Sequence, residues 1–303
     1  MREVIPAVFA DERVDRVVAT LASVSRRVAA DLVGSGAVRV DGRPVEAASS
    51  RVRDGQTIEI DIDAVPPEPV LDGDRSVLFE VVHADADVIV VNKPPGLVVH
   101  PGSGHSRGTL VHGLLAQYPE IASVGEPERP GIVHRLDKGT SGLLVAARSD
   151  RAYRSLAAQL AAHTAGRTYL ALVFGVPESR VGVIDAPVGR SSRDRTRMAV
   201  RTEGKNARTR YSVLSAFAHP AAAALVECHL ETGRMHQIRV HLSAIGHPVI
   251  GDPQYRGGRG SIRAPRPMLH AARLEFEHPA TRERVHFVAP LPEDMADVLA
   301  TLE

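Results

Sequence analysis

His134-Arg-Leu-Asp137-Lys-Gly-Thr-Ser-Gly142, followed at once by Leu143-Leu-Val-Ala-Ala147, is the stretch on which the reading of this chain turns. Five consecutive apolar residues read as a buried strand, and the Lys-Gly-Thr-Ser-Gly ahead of them reads as a tight turn. The turn holds Arg135 and Asp137 just outside a sheet, on backbone that the glycines let bend sharply. Short polar loops carried by a rigid sheet are where catalytic groups tend to sit. An Arg-Leu-Asp triplet before a strand is in most proteins only a surface turn with a weak ion pair, so the rest of the chain has to decide. The catalytic loop of protein kinases also contains His, Arg and Asp. Here Leu136 separates Arg135 from Asp137, no Asn follows at the required spacing, and no Asp-Phe-Gly or Gly-rich nucleotide loop occurs.

The 303 residues suit one large domain plus a small one, or two medium ones, and 44% hydrophobic residues are enough for a packed core. No apolar run approaches the roughly 18 to 20 residues that span a bilayer. The start, Met1-Arg-Glu-Val-Ile-Pro6, has no apolar segment of the secretory kind. A cytoplasmic protein is the expectation. Cys228 is the single cysteine, which excludes an internal disulfide and a multi-cysteine zinc site. His236 and His241 stand five apart, the wrong spacing for one helical face, so no metal site is expected. The net charge is only +1, but Lys93, Lys138 and Lys205 are the only lysines and every other basic residue is an arginine. Genome composition can produce that bias; arginine is also the better residue for gripping phosphates and stacking on bases.

Working outward toward the N-terminus, residues 11–62 form a small module. Val14, Val17, Val18 and Leu21 recur at helical spacing, Ser25 caps a second helix from Arg26 to Val33, and Gly34 and Gly36 end it. Ala37 to Val45 then reads as strand, Asp-Gly turn, strand, and Thr57 to Ile62 alternates as a half-buried strand does. Arg26 and Arg27 open the second helix, where positive charge opposes the helix dipole. That penalty needs an offset, and with Arg39, Arg43, Arg51 and Arg53 the face is read as a phosphate-binding surface. Residues 63–76, with Val65-Pro-Pro-Glu-Pro69, are a semi-rigid linker, and 77–303 are the second domain.

In that second domain Val88 to Val91 is a buried strand, followed by a turn-rich loop from Asn92 to Gly102. Gly102, Gly104 and Gly108 fit neither the P-loop nor the dinucleotide fingerprint. Past the central stretch, Ser149 caps a helix to about Thr164 that Gly166 ends, and Arg167 to Gly175 is a strand. Tyr169 shares a face with Ala171 and Val173, which makes it either a core aromatic or a base-stacking platform. Gly189 to Arg210, including Arg197 and Lys205, carries eight basic residues against Asp194 and Glu203. It reads as an arginine-rich loop over a nucleic-acid groove, leading into a strand from Tyr211 to Phe217. A strand from Leu225 to Glu231 leads to Thr232-Gly-Arg-Met-His-Gln-Ile-Arg239 and a helix from near Met235 to Gly246, with Arg239 beside Gln237 at the junction. Leu269 to Phe276 and Arg284 to Val288 close the sheet, and Glu293 to Leu302 is a terminal helix. The fold class is α+β: a mixed, largely antiparallel sheet domain with a small αβ module in front.

The front module, with Ser-Arg-Arg opening its second helix, Gly-x-Val-x-Val-Asp-Gly42 and Gly55-Gln-x-Ile-x-Ile60, resembles the S4 RNA-binding domain. The larger part resembles the RluA-type RNA pseudouridine synthases. The residues that carry this are Lys93-Pro-x-Gly-x-x-Val-His-Pro101, His134-Arg-Leu-Asp-x-x-Thr-Ser-Gly-Leu-Leu-Val145, Tyr169-Leu-Ala-Leu-Val173, Arg197-Met-Ala-Val200 with Gly204-Lys-x-Ala207, Thr232-Gly-Arg-x-His-Gln-Ile-Arg239, His247-Pro-x-x-Gly-Asp252 and Leu269-His-Ala-Ala-Arg-Leu-Glu-Phe276. The S4-like front end points to the RluD-like branch, whose members modify large-subunit ribosomal RNA.

The resemblance implies the pseudouridine synthase fold and an isomerase that breaks a C–N glycosidic bond, turns the uracil and rejoins it through carbon, with no cofactor. Asp137 would act at C1′ of the ribose or on the uracil ring, paired with Arg239. Tyr169 would stack on the uracil or help remove the C5 proton, Leu269 would line the uracil pocket, and Arg135 would fill the gap left by the extruded nucleotide. Gln237, Arg26, Arg27, Arg197 and Lys205 are candidate RNA contacts. The expected partner is large-subunit (23S) ribosomal RNA, alone or in pre-ribosomal particles, bound by a monomer. Where the family commonly has lysine and threonine, this chain has Arg167 and Met235. A transfer-RNA target and a non-catalytic ribosome-assembly protein are the alternatives. A two-carboxylate glycoside hydrolase is disfavoured because no second acid is matched to Asp137.

Overall fold

The computed structural model describes residues 1–24, 26–64, 71–102, 104–258 and 261–303, without the side chain of Arg27. The chain divides into two compact units, Met1–Pro69 and Val70–Glu303. The Pro-rich linker at 65–69 and the expected cap Ser25 lie outside the described residues.

In the first unit β1 (Arg2–Val4) precedes α1 (Val14–Leu21) and α2 (Arg26–Gly34), and β2 (Val38–Val40), β3 (Arg43–Pro44) and β4 (Thr57–Ile60) follow. The four strands form an antiparallel sheet in the order β1-β4-β2-β3. Val14, Val17 and Val18 pack with Ala29, Leu32, Val38, Ile58 and Ile60, so the helical stripe and the strand alternation meet in one core. Asp41 and Gly42 both take positive φ, as the two-residue hairpin turn between β2 and β3 requires. β1 left no trace in the sequence pattern. It is three residues long, all exposed, and is held by its pairing with β4 alone.

Arg26 has a partner inside this unit. Its Nη2 lies 3.1 Å from Asp15, whose carboxylate also takes a 2.8 Å bond from Arg13 and is almost wholly buried. The hydrogen bond from Arg13 first, and then Arg26, hold the Asp15 carboxyl below its ordinary range. The positive charge at the start of α2 is therefore offset from inside the unit, and the dipole argument for an RNA phosphate at Arg26 falls away.

The second unit runs β5 (Glu80–Ala84), β6 (Val88–Lys93), α3 (Leu110–Gln117), β7 (Ser141–Ala147), α4 (Asp150–Ala161), β8 (Gly166–Phe174), β9 (Val181–Asp185), β10 (Val188–Arg190), β11 (Met198–Val200), β12 (Arg208–Phe217), β13 (Ala223–Leu230), α5 (Gln237–Ala244), β14 (Leu269–Glu277), β15 (Arg284–Val288) and α6 (Glu293–Ala300). Its main sheet has the order β5-β6-β7-β14-β8-β13-β12-β9, with β15 paired to β14. Every pairing is antiparallel except β7 with β14.

The centre of this sheet is buried on both faces, which is why its strands read as continuous apolar runs. Ile89, Val91, Leu144 and Ala146 face α3 and α5, while Val88, Val90, Leu143 and Val145 face α4 and Phe276. Gly142 makes the parallel pairing possible. It has φ +109°, and a Cβ there would run into the carbonyl of Ala271.

Three local readings differ from expectation. Ser149 does cap α4, accepting from Ala152 N–H, but the helix stops at Ala161 and His163 takes the left-handed conformation; Gly166 instead opens β8. Residues 189–210 are not one loop: β10 and β11 pair across a turn, and β12 already begins at Arg208. α3 went unread because it is buried nearly all round and lacks the polar face that marks an amphipathic helix.

Candidate active site

Asp137 sits between buried Leu136 and the turn that leads into β7, and its carbonyl accepts from Thr140 N–H at 3.0 Å. Lys93, at the end of β6, is 0% exposed and fixes the loop from behind. Its Nζ donates to the carbonyls of Pro94 (2.8 Å) and Leu97 (2.9 Å) and reaches that of Lys138 at 3.5 Å. Burial, with the charge of Arg266, pushes this ammonium down to about 7, against the pull of Asp137.

Arg239, in the first turn of α5, donates from Nη1 to Asp137 Oδ2 at 3.0 Å. The other edge of its guanidinium forks onto Asp252, with Nε to Oδ2 at 2.6 Å and Nη2 to Oδ1 at 3.0 Å, and Nη2 also reaches Gln254 at 2.9 Å. Asp252 is 0% exposed and accepts from the backbone N–H groups of Gln254 and Tyr255 as well. Burial on its own would lower the Arg239 pKa; the bonds to Asp252 and the charge of Asp137 outweigh it and hold the guanidinium above its ordinary value. Asp137 thus meets a cation whose position is set before any substrate arrives.

His236 stands on the other side of the carboxylate, its Nε2 3.9 Å from Asp137 Oδ1. Tyr255 Oη accepts from Met198 N–H at 2.9 Å and lies 2.9 Å from His236 Nδ1. His236 Nδ1 and Tyr255 Oη thus share a hydrogen bond that orients the imidazole with Nε2 toward Asp137. Burial lowers the His236 pKa, so the neutral form is the resting one.

These groups open into a cavity of about 600 Å³. Tyr169 and Leu269, both buried, line it beside Asp137 and Arg239. Burial pushes the Tyr169 hydroxyl up to about 12, so it is a phenol at neutral pH. Arg135 lies exposed at the rim with Nη1 3.3 Å from His100 Nε2. Gln237 is turned inward: its carbonyl accepts from Thr232 Oγ1 (2.7 Å) and Arg234 N–H (2.9 Å), and its amide donates to Arg208 O (3.0 Å) and Thr209 Oγ1 (2.9 Å). All four of its hydrogen-bonding positions are filled by protein. Arg197 packs 5.2 Å over the Tyr255 ring, with Arg239 5.0 Å from the same ring. Lys205 is exposed and its backbone pairs with Val188; neither Arg197 nor Lys205 lines the cavity. Arg26 and Arg27 belong to the first unit.

The cavity wall carries Arg129, Arg135, Arg167, Arg234 and Arg239, and Asp137 is the one carboxylate among its lining residues. A cationic hollow with a single acid at its floor defines a class: an enzyme that draws a polyanion in and works on it with one carboxylate.

The family model for RNA pseudouridylate synthase matches residues 87–244, and that for the S4 domain matches residues 12–58. The chain is 45% identical to an uncharacterized RNA pseudouridine synthase of Bacillus subtilis, YlyB, over 96% of this chain and 94% of that one. It is 41% identical to the ribosomal large subunit pseudouridine synthase D of Zymomonas mobilis, over 93% and 91%. Among solved structures, human RNA pseudouridylate synthase domain containing 1 superposes with a TM-score of 0.58 at 28% identity, covering 75% of this chain and 88% of the human one. The chain belongs to the RNA pseudouridine synthase family: it is an isomerase of uridine in RNA, carrying an N-terminal S4 domain.

Proposed function

We propose that this enzyme converts uridines of large-subunit (23S) ribosomal RNA to pseudouridine with Asp137 as its essential acid. The observation that carries the reading is the 3.0 Å pair of Asp137 with Arg239 at the bottom of the arginine-lined cavity. The ribosomal target is supported by the S4 domain and by the Zymomonas mobilis relative's name.

The isomerisation breaks the C1′–N1 bond and makes a C1′–C5 bond. N1 gains a proton where the sugar was and C5 gives one up, so nothing is added or lost. Asp137 Oδ2 is occupied by Arg239, which leaves Oδ1 as the oxygen offered to the nucleotide, at C1′ or at the ring. Arg239 keeps the carboxylate ionised beneath a base that would otherwise desolvate it. Tyr169, on the cavity wall, provides the flat surface on which the flipped uracil stacks, or the group that helps remove the C5 proton. Leu269 closes the apolar side, and Arg135 at the rim takes the space of the extruded nucleotide.

The test is pseudouridine mapping on unmodified 23S RNA transcripts and on transfer RNAs, both treated with wild type and with Asp137→Ala. The expected result is pseudouridine in the 23S transcript with wild type and none with the variant. Full activity of Asp137→Ala rejects the acid; product in transfer RNA alone rejects the ribosomal target.

A further inference from the structure

The arginines around the cavity are not equivalent. Arg129 is paired with Glu126, Arg234 donates to the carbonyl of Asn206, Arg135 leans on His100, and Arg239 is held by two carboxylates. Arg167, on β8, is 8% exposed and has no partner of either kind among the described residues. Its Nε is buried without an acceptor, and burial lowers its pKa, opposed by the Tyr169 phenol and by no carboxylate. An unpaired guanidinium in so dry a place is unfavourable unless an anion joins it.

The surroundings are shaped for that guanidinium. Gly233, in the loop before α5, lies so close that a Cβ would collide with Arg167 Nη1, and its φ is not in the left-handed range. The space a side chain would use there is taken by the arginine, which would have to move its guanidinium to admit one. His134 supplies a second unpaired donor to the same wall. Its Nε2 accepts from Val145 N–H at 3.1 Å, so its hydrogen is on Nδ1, which is buried and finds no acceptor. Both residues line the cavity that holds Asp137. Arg167 and Tyr169 stand two apart on β8, opposite a bulge whose extra residue falls in β14, hence on the same face and roughly 6 to 7 Å apart along the strand. That is the span between a nucleotide's base and its own backbone phosphate.

We infer that Arg167, backed by Gly233, is a binding site for the RNA phosphodiester next to the target uridine, seated while the uracil lies on Tyr169. This rests on the proposed function and adds a subsite to it. The phosphate sets an anion against the Nη1 and Nη2 edge of the buried guanidinium, a bidentate geometry that arginine matches, while Nε stays packed in the wall. It fixes the backbone at one side of the flipped nucleotide, so that the sugar presents C1′ to Asp137.

The experiment compares wild type, Arg167→Met and Arg167→Lys on unmodified 23S RNA transcript. KM and kcat are measured, together with the dependence of binding on potassium chloride concentration. Arg167→Met is expected to raise KM roughly 10- to 100-fold, the range of a charged hydrogen bond, with kcat changed much less. It should flatten the slope of log affinity against log salt by about 0.7 to 0.9, the share of one phosphate, while Arg167→Lys keeps the slope. An unchanged slope, or a loss confined to kcat, overturns the site. A substrate measurement covers the case in which Arg167→Met does not fold. Replacing each phosphate beside the target uridine in turn with a neutral methylphosphonate should weaken wild-type binding at one of the two, and equal binding at both overturns the site. If wild type makes no pseudouridine in this transcript, the ribosomal target fails, and the slope comparison on transfer-RNA transcripts decides the phosphate site separately.

Discussion

Arg239 spends one nitrogen on Asp137 and two on Asp252, at 3.0 Å for the first and at 2.6 and 3.0 Å for the others. The fully buried partner, Asp252, therefore sets the angle at which the guanidinium meets the one that faces the cavity. In Asp252→Asn one of the two oxygens becomes an NH2 group, which opposes the guanidinium instead of accepting from it. The fork is lost and Arg239 is left as a buried charge with half its support. Breaking such a pair costs about 3 to 5 kcal/mol. Urea unfolding should show a loss of that order, and pseudouridine formation should drop by roughly 100-fold, the scale of a misplaced positioning group. Wild-type rates in Asp252→Asn would mean that Arg239 orients without it.

Gly142 and Gly96 separate two kinds of glycine. Both have positive φ, but only at Gly142 would a Cβ meet backbone, that of Ala271 across the parallel pairing; at Gly96 nothing lies within 4 Å. Gly96→Ala should lose only the conformational term, about 1 to 2 kcal/mol. Gly142→Ala must also push β7 and β14 apart beside the Asp137 turn, and is expected to lose several kcal/mol or fail to accumulate as folded protein. Equal urea midpoints for the two variants would contradict the contact.

Much of this was legible in the chain, and the rest was hidden for physical reasons. The apolar run after Gly142 marked a strand because burial on both faces removes alternation. The meeting of Asp137 with Arg239, 102 residues away, followed from the family resemblance, since nothing local in either segment encodes it. Asp252 entered only as the last residue of the His247-Pro-x-x-Gly-Asp252 motif, with no role attached, because a buried acid and an exposed one look alike in sequence. The protein partners of Gln237 and Arg26 were hidden for the same reason: which polar groups are already satisfied depends on backbone carbonyls and distant carboxylates that periodicity does not report. The unpaired state of Arg167 was invisible for that reason too.

Arg135 is exposed at the cavity rim and takes part in no ion pair among the described residues, so removing it should leave the fold intact. If it fills the space of the flipped nucleotide, its worth depends on how stacked the target is. Arg135→Ala should lose roughly 10- to 100-fold in kcat/KM on folded RNA, matching a flipping penalty of a few kcal/mol. On a short unstructured oligonucleotide with the same target the loss should be much smaller, because no gap needs filling. Equal losses on both substrates would assign Arg135 to simple charge attraction.

His134 makes the stability of the larger unit sensitive to acid. Burial first, and the charge of Arg167 second, push its pKa down to about 3, against 6.5 for a free imidazole. Between those values the unfolded chain binds a proton that the folded protein refuses. Stability therefore falls as pH drops below 6.5, by up to about 1.4 kcal/mol per pH unit from this residue, and the loss is complete near pH 3. A glutamine at 134 can still accept the Val145 N–H with its amide oxygen but does not titrate. Wild type should lose stability relative to His134→Gln by about 2 to 3 kcal/mol between pH 6.5 and 4.5, read from paired urea melts in which the other titrating groups cancel. Parallel curves would show that His134 carries its proton in the folded state, and the assignment of the hydrogen to Nδ1 alone would then be wrong.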